Sequence, residues 1–441
     1  MSYRSWGGTK TAVQRVIPLY WEQEPFPDTE GKLALPFGNG RSYGDSCLND
    51  GGVLLDTKHL DHFLSFDRRT GILRCEAGVL LSEILSFTIP QGWFLPVTPG
   101  TKYVTLGGAI ANDVHGKNHH RSGTFGCHIL RFEILRSDNS RILCSPSDNK
   151  DVFSATIGGL GLTGVILWAE IALKAISSPF IQSETVRFGN LDEFFSLSRE
   201  SDRDYEYTVS WIDCLVQGKN LGRGLFIRGN HAPSLPPPTN FSSSRNIRNF
   251  PFSPPFSLVN ALSLKAFNTM YYRKQIRKRS KRLESYDPFF YPLDGIGYWN
   301  RIYGRKGFYQ YQCVIPEEES EFPVRELLTE IARSGQGSFL AVLKHFGNIP
   351  SPGILSFPRP GITLALDFPN RGEKTLSLFS RLDEIVASAK GAVYPAKDAR
   401  MSSKSYQQFF PRWQEFLRFK DPGLSSDFWK RVTKGDECNA Y

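Results

Sequence analysis

Residues Val97 to Gly126 read VTPGTKYVTLGGAIANDVHGKNHHRSGTFG, and the reading of this stretch decides the fold. Glycine clusters sit there among small and β-branched residues, so the backbone can lie flat against a planar or phosphorylated ligand without Cβ interference. His115, Lys117 and Asn118 project polar groups into the same place. Upstream, GNGRSYGD (Gly38–Asp45) directly follows the apolar ALPF, a glycine-rich turn at the end of a strand. Arg41 and Ser42 add donors to backbone N–H groups that suit a diphosphate, although a simple tight turn would read the same way. A third run, GLGLTG (Gly159–Gly164), matches the dinucleotide fingerprint G-x-G-x-x-G literally. That fingerprint must follow a strand and open a helix, whereas here the strand-like VILWAEIAL follows. No G-x-x-x-x-G-K-[ST] occurs either, because Gly116-Lys117 is followed by Asn118. Nicotinamide and P-loop readings are both demoted.

Around these motifs the chain reads as α+β. VLLDT, FLSF and ILRCEAG are strands, VLLSEILSFTIPQG is a helix, and ILRFEILRS with RILCS forms a hairpin around Asp138 and Asn139. VILWAEIALKAI reads as a long strand leaving a first lobe, with a boundary near Ser177 to Pro179. Beyond it, strand-like YTVSWIDCLV, LFIRG, GFYQYQCVIP, SFLAVLKHFG and ITLALDFP alternate with the helical FPVRELLTEIARSG and LSLFSRLDEIVASAKG. They suit a sheet covered by helices on one face. At 441 residues two lobes are expected in any case, since single cores stop growing near roughly 250 to 300 residues.

With 40% hydrophobic and 22% charged residues the chain is far from the composition of disorder. Neither a secretory leader nor an 18-residue apolar span is apparent, so a cytoplasmic location is expected. Seven scattered cysteines without a C-x-x-C pair argue against a disulfide framework or a zinc ribbon. His115, His119, His120 and His128 have no carboxylate at a ligand spacing, so no metal is expected. The net charge of +9 favours an anionic partner. Between Arg273 and Arg282, RKQIRKRSKR follows the apolar-rich SLVNALSLKAFNTMYY, which suits either a membrane surface or a solvated loop. Its cations cluster in one short run without interleaved aromatics, which speaks against nucleic acid. Ala232 to Pro255 is rich in Pro and Ser and reads as a loop.

In the second lobe, alternation puts Gln310 and Gln312 on one face of their strand, and Lys344 and Phe346 on one face of theirs. Two amides and an ammonium on one sheet face suit a hydroxylated, anionic ligand, though an ordinary solvent-facing side has the same look. Lys397, in VYPAKDAR, follows a strand; a lone lysine is usually only solvated.

GNGRSYGD, PGTKYVTLGGAIANDVHGKNHH, ATIGGLGLTGV, YWNRIYG, FYQYQ and VYPAKDAR, in this order and spacing, resemble FAD-binding oxidoreductases of the vanillyl-alcohol oxidase type. More closely, they resemble the decaprenylphosphoryl-β-D-ribose 2′-oxidase family from about Ala34 to Asp427. The resemblance implies an FAD domain over residues 1–178, a substrate domain with an antiparallel sheet over 179–391, and a C-terminal segment, 392–441, returning to the FAD domain. Arg41 takes the place where sugar oxidases of the wider superfamily carry a flavin-linked histidine, so FAD is expected to be bound without a covalent tether. Carried over, the flavin contacts are Asn39, Gly40, Arg41, Ser42, Tyr43, Gly44 and Asp45, then Gly100, Thr105, Leu106, Gly107 and Gly108. Asn112, Asp113, Val114, His115, Gly116, Lys117, Asn118, Ile166 and Tyr394 complete them. Trp211, Gln310, Gln312, Lys344 and Phe346 would line the substrate, with Lys397, His115, Tyr43 and Lys117 in catalytic roles. Thr363 and Ala365 stand where mycobacterial members carry Asn and Cys, and Phe290 where they carry a Tyr before P-L-D.

The implied reaction oxidises the 2′-hydroxyl of a polyprenylphosphoryl-β-D-ribose by hydride transfer to FAD. Lys397 is the first choice to meet that hydroxyl, with His115 or Tyr43 as relay. The implied partners are a lipid-linked phosphosugar and an NAD(P)H-dependent short-chain reductase that completes epimerisation to the arabinose form; the basic and apolar segment, in its membrane reading, adds peripheral contact at the inner membrane face, and no nucleic acid is expected. An alditol or aldonolactone oxidase would keep the same FAD domain and is the competing reading.

Overall fold

The computed structural model describes residues 2–233 and 248–434. Near its start, β1 (Arg15–Pro18), β2 (Ala34–Phe37) and β3 (Val53–Asp56) form a parallel sheet in the order β1-β3-β2. The central VLL of β3 is buried on both faces. Leu54 packs into the largest core while Val53 and Leu55 pack into another, as the period of two requires. A second, antiparallel sheet follows, made of β4 (Phe63–Asp67), β5 (Ile72–Glu76), β6 (Ile129–Leu135), β7 (Arg141–Cys144) and β8 (Val165–Ala172), in the order β7-β6-β8-β5-β4. Helix α1 (Leu81–Thr88) buries Leu81, Ile84, Leu85 and Thr88, one helical stripe, against it. The short α2 (Leu106–Ala111) begins where the Thr105 hydroxyl accepts from the Gly108 amide.

VILWAEIALKAI is not one long strand. Register shifts at Ile166/Trp168 and Glu170/Ile171 bend β8, which ends at Ala172, and Lys174–Ala175 pair instead with Trp93–Phe94. GLGLTG joins a helix, Lys150–Thr156, to β8, the reverse of the strand-to-helix order of a dinucleotide fold. Its Leu160 and Gly161 take positive φ (57° and 77°), and the Gly158 and Leu160 amides donate to the Ile110 and Ala111 carbonyls, tying down the end of α2.

The large sheet is antiparallel throughout. Its strands are β9 (Phe180–Phe188), β10 (Tyr207–Ile212), β11 (Gly224–His231), β12 (Arg279–Ser285), β13 (Phe308–Pro316), β14 (Ala341–Phe346), β15 (Gly361–Pro369) and β16 (Ala392–Val393), in the order β12-β9-β11-β10-β14-β15-β13-β16. Tyr311, Cys313, Leu343 and Leu364 alternate onto one face. There they share a core with Phe194 of α3 (Leu191–Asp202), Leu328 of α5 (Glu321–Ser334) and Leu378 of α6 (Glu373–Ser388). Helix α4 (Ala261–Arg273) lies between β11 and β12 in the sequence. The basic run therefore splits: Arg273 ends a helix, and Arg279 opens the edge strand β12. Of the Pro- and Ser-rich segment, 234–247 lie outside the described residues, and Arg248–Asn249 pair with Ile296–Gly297.

After β16 the chain runs back to the first sheets. Leu424 bridges to Ala34, and buried Asp421 accepts from the Ser137 amide and hydroxyl. Arg431 grips Asp45 with two N–H groups, at 2.7 and 2.9 Å, and Asp398 at 3.0 Å. Both carboxylates are buried, so removing the guanidinium strands two charges. Arg431→Met is expected to cost about 3 kcal/mol, read as a lower urea midpoint with an unchanged m-value.

Candidate active site

The turn Gly38–Asp45 leaves β2 with Gly40 at φ 59°. Gly44 admits no side chain, because a Cβ there would stand 1.7 Å from the Asp398 carbonyl oxygen. The Tyr43 amide donates to the Ala396 carbonyl (3.0 Å), which brings the turn against the VYPAKDAR segment. Asn39 is fixed through its amide to the Tyr103 carbonyl (2.7 Å), and Asp45 is engaged by Arg431. The amides of Gly40, Arg41 and Ser42 donate to no acceptor among the described residues. Arg41 lies 4.2 Å over the Trp6 ring, its Nε is buried without a partner, and burial lowers its pKa.

Beside it runs the segment after α2. Gly100 and Gly108 expose backbone: a Cβ at Gly100 would meet nothing within 4 Å, and one at Gly108 only the Thr105 hydroxyl. Gly107 packs against Ala77, and Leu106 and Ile166 belong to the core beneath. The Asn112 carbonyl accepts from the Tyr394 hydroxyl (2.8 Å), and Tyr394 stacks on Phe357 at 4.5 Å. The Asp113 carboxylate is spent on Ser351, Ser356 and the Gly126 amide. Asn118 donates to the Pro96 carbonyl and Ser122. These two side chains hold the loop in shape, and between them the His115 ring meets Gln312 and the Lys117 carbonyl the Thr208 amide of the large sheet.

One face of that sheet carries every residue expected to line a substrate. Trp211, Val342, Ala365 and Gln312 stand in one register row across β10, β14, β15 and β13. Lys344 pairs with Thr363 in the next row, Gln310 pairs with Asp367, and Phe346 follows Lys344 on the same face. Gln312 donates to His115 Nε2 at 2.9 Å across the gap between the sheets. This fixes the neutral tautomer with the proton on Nδ1, a buried donor without a partner. His115 also contacts the Phe346 ring at 4.8 Å. Lys397 Nζ lies 4.1 Å over the Tyr43 ring. Trp211 closes the row, its Nε1 donating to the Phe339 carbonyl (2.8 Å). Thr363 donates to the Cys313 carbonyl and accepts from Gln312 at 3.4 Å.

Charge is unevenly matched here. Lys117 and Lys397 lie near enough to Lys344 to act on its charge, and the three form no salt bridge among the described residues; together they mark a recess, and Lys117 has only the Phe290 carbonyl, at 3.1 Å. Burial pulls Lys117 and Lys397 down to about 8, and burial with the other two lysines pulls Lys344 to about 7. Burial and Lys344 hold His115 well below its usual value, so it stays neutral. Two carboxylates act on them: Glu284 on Lys117, and on Lys397 Asp367, which is 1% exposed, raised by burial to about 7, and accepts from Gln310 at 2.7 Å and Tyr303 at 3.5 Å.

Asp367, Tyr303, Phe357 and Trp6 carry no role in the sequence reading. Asp367 was within its reach, since Thr363, Ala365 and Asp367 alternate along TLALDFP; the other three come from distant segments. The expected departure at Phe290 needs correction. Tyr291, not Phe290, directly precedes Pro292-Leu293-Asp294, and its buried hydroxyl bonds Thr98 at 2.6 Å, while Phe290 offers Lys117 its carbonyl.

A family model described as FAD binding domain matches residues 28–145. The chain is 36% identical over 419 residues to the decaprenylphosphoryl-β-D-ribose oxidase of Mycolicibacterium smegmatis, covering 91% of this chain and 89% of that protein. It belongs to the decaprenylphosphoryl-β-D-ribose oxidase family. An uncharacterised Streptomyces coelicolor protein is 31% identical over 80% of this chain and its own full length. A putative D-arabinono-1,4-lactone oxidase of Neurospora crassa is 27% identical over only 40% of this chain and 32% of itself. The protein is thus an FAD-dependent oxidoreductase in a family of sugar oxidases. Its residues fit the cofactor: unspent amides and the orphaned guanidinium of the Gly38–Asp45 turn match a diphosphate, and the free Nδ1–H of His115 is a donor for a polar ring edge. Arg41→Met removes a charge-assisted contact worth about 1.5–3 kcal/mol, so FAD affinity should fall about 10- to 100-fold, read from the fluorescence of released flavin on dilution.

Proposed function

We propose that this protein oxidises the 2′-hydroxyl of a polyprenylphosphoryl-β-D-ribose to the 2′-keto sugar. The single observation that carries this reading is the cluster of three half-buried ammonium groups, Lys117, Lys344 and Lys397, without a salt bridge among the described residues, a surplus of positive charge that an anionic, hydroxylated ligand neutralises. Lys117 and Lys344 take the phosphodiester, whose charge restores theirs. Gln310, held by Asp367, and Gln312, held by His115, present amide groups to sugar hydroxyls from one face of β13. Bound FAD, held without a covalent tether, supplies the hydride acceptor. Lys397, neutral above about pH 8, removes the hydroxyl proton as hydride departs, because oxidation without a base would produce a protonated ketone. The Tyr43 phenol, its pKa raised by burial and by Asp367, stays protonated beside it and bonds the same oxygen. Lys117 and Lys344 also favour negative charge on the reduced cofactor. The 2′-keto product then suits an NAD(P)H-dependent short-chain reductase that sets the arabinose configuration.

Anaerobic titration with farnesylphosphoryl-β-D-ribofuranose should bleach the flavin absorbance, while ribose and xylitol leave it unchanged. Bleaching by xylitol or an aldonolactone instead would overturn the reading in favour of the lactone-oxidase type of chemistry. Lys397→Ala should lower the rate of bleaching by about 10²- to 10⁴-fold with FAD still bound. For the wild type, kcat/KM should pass through a maximum between about pH 7 and 8 and fall on either side, since Lys397 must be neutral while Lys117 and Lys344 must be charged to take the phosphodiester, and this profile reports the free enzyme.

A further inference from the structure

Helix α4 has two apolar sides, only one of them packed. Its inner side buries Leu264 and Asn268 and sets Tyr271 against Trp211, at 4.7 Å, and Phe267 against Phe339, so the helix walls the substrate face of the sheet. The opposite stripe carries Leu262 (79% exposed), Ala266 and Met270 (65%), flanked by Lys265 and Arg273. Phe256, 69% exposed, precedes the helix, and Ile276, 84% exposed, follows it. Then come exposed Arg277, Lys278, Arg279, Lys281 and Arg282, with exposed Leu283 among them on β12. Among the described residues only Lys278 and Arg279 reach carboxylates, Glu193 and Glu200, at 3.8 and 3.9 Å. Cations on an edge strand deter edge-to-edge pairing, which accounts for Lys281 and Arg282. That role leaves Leu262, Met270 and Ile276 unexplained, because they lie on the helix and the connection rather than on the edge.

We infer that α4 and the Lys274–Leu283 segment form a docking surface for an anionic lipid bilayer. Leu262, Met270 and Ile276 enter the acyl boundary, and Arg273, Arg277, Lys281 and Arg282 meet lipid phosphates. The surface carries both components that interfacial binding needs, buried apolar area and cations, and no helix among the described residues is long and apolar enough to cross a membrane. Docking goes beyond the proposed reaction and stands without it. Only its use, delivery of a lipid-linked sugar along α4 to the recess behind Trp211, rests on that reading.

The test is sedimentation of the FAD-loaded protein with vesicles of equimolar phosphatidylcholine and phosphatidylglycerol, with pure phosphatidylcholine vesicles as control. Binding is expected to the anionic vesicles only, and to be lost at about 1 M salt, where the Debye length is about 3 Å. The double variant Arg277→Gln/Lys281→Gln should partition about 30-fold less. Leu262→Ser/Ile276→Ser should lose at least tenfold. Both should keep bound FAD and wild-type flavin bleaching by a soluble short-chain substrate, which separates this outcome from failure of the proposed reaction. Absent vesicle binding, binding unchanged in either variant, or binding to poly(U) in place of vesicles would overturn the inference.

Discussion

A half-buried ammonium group without a salt-bridge partner is destabilised as a cation, and Lys117, Lys344 and Lys397 stand close enough beside β10, β13, β14 and β15 to act on one another. Asp367, its own charge held back by burial, acts on Lys397, and Glu284 acts on Lys117, yet neither forms a salt bridge with them among the described residues. The resulting deficit of negative charge gives the neighbouring groups their roles. Burial, with Lys344 nearby, keeps His115 neutral, so that the ring can accept from Gln312 and leave Nδ1–H free. Burial brings Lys397 to the range in which a lysine serves as a base, and the deficit leaves Lys117 and Lys344 short of an anion. A neutral sugar alone would leave that deficit in place.

The scaffold's task is to hold these groups against mutual repulsion. Lys344 is fixed on the middle of an eight-stranded sheet whose other face is packed by α3, α5 and α6. Lys117 stands on a loop whose shape is set by Asp113 and Asn118, both buried and both hydrogen-bonded away from the recess. Lys397 sits just before Asp398, which Arg431 and the Met401 amide restrain. Charged groups on three separate segments are thus each anchored by buried polar contacts, and a shift of Lys117 or Lys397 would relax the pKa of Lys344.

Much of this was legible in the sequence because periodicity survives folding. FYQYQ and LKHFG placed Gln310, Gln312, Lys344 and Phe346 on the faces they occupy, and the motif order placed His115 and Lys397 in one site. The dinucleotide-like GLGLTG was separable from a true fingerprint by its neighbours alone, since a helix precedes it and a strand follows. Long-range contacts were not legible: alternation puts Asp367 on the face of Thr363 and Ala365, but nothing local pairs it with Gln310, or Trp6 with Arg41, because each acts on a residue far away in the chain. The bends in β8 were missed for a related reason, since register shifts depend on two neighbouring strands rather than on the β-branched run itself.

The most direct test of the under-neutralised recess is proton uptake on ligand binding, measured by calorimetry at about pH 8 in buffers of different ionisation enthalpy. A farnesyl phosphodiester of a non-oxidisable 2′-deoxyribofuranose would serve as ligand. With Lys117 and Lys397 near 8 and Lys344 near 7, an arriving phosphodiester raises all three values, and the complex should draw protons from the buffer. Uptake that is reduced but not abolished in the Lys344→Met variant would bear out the account; binding of wild-type protein with no net proton uptake would contradict it.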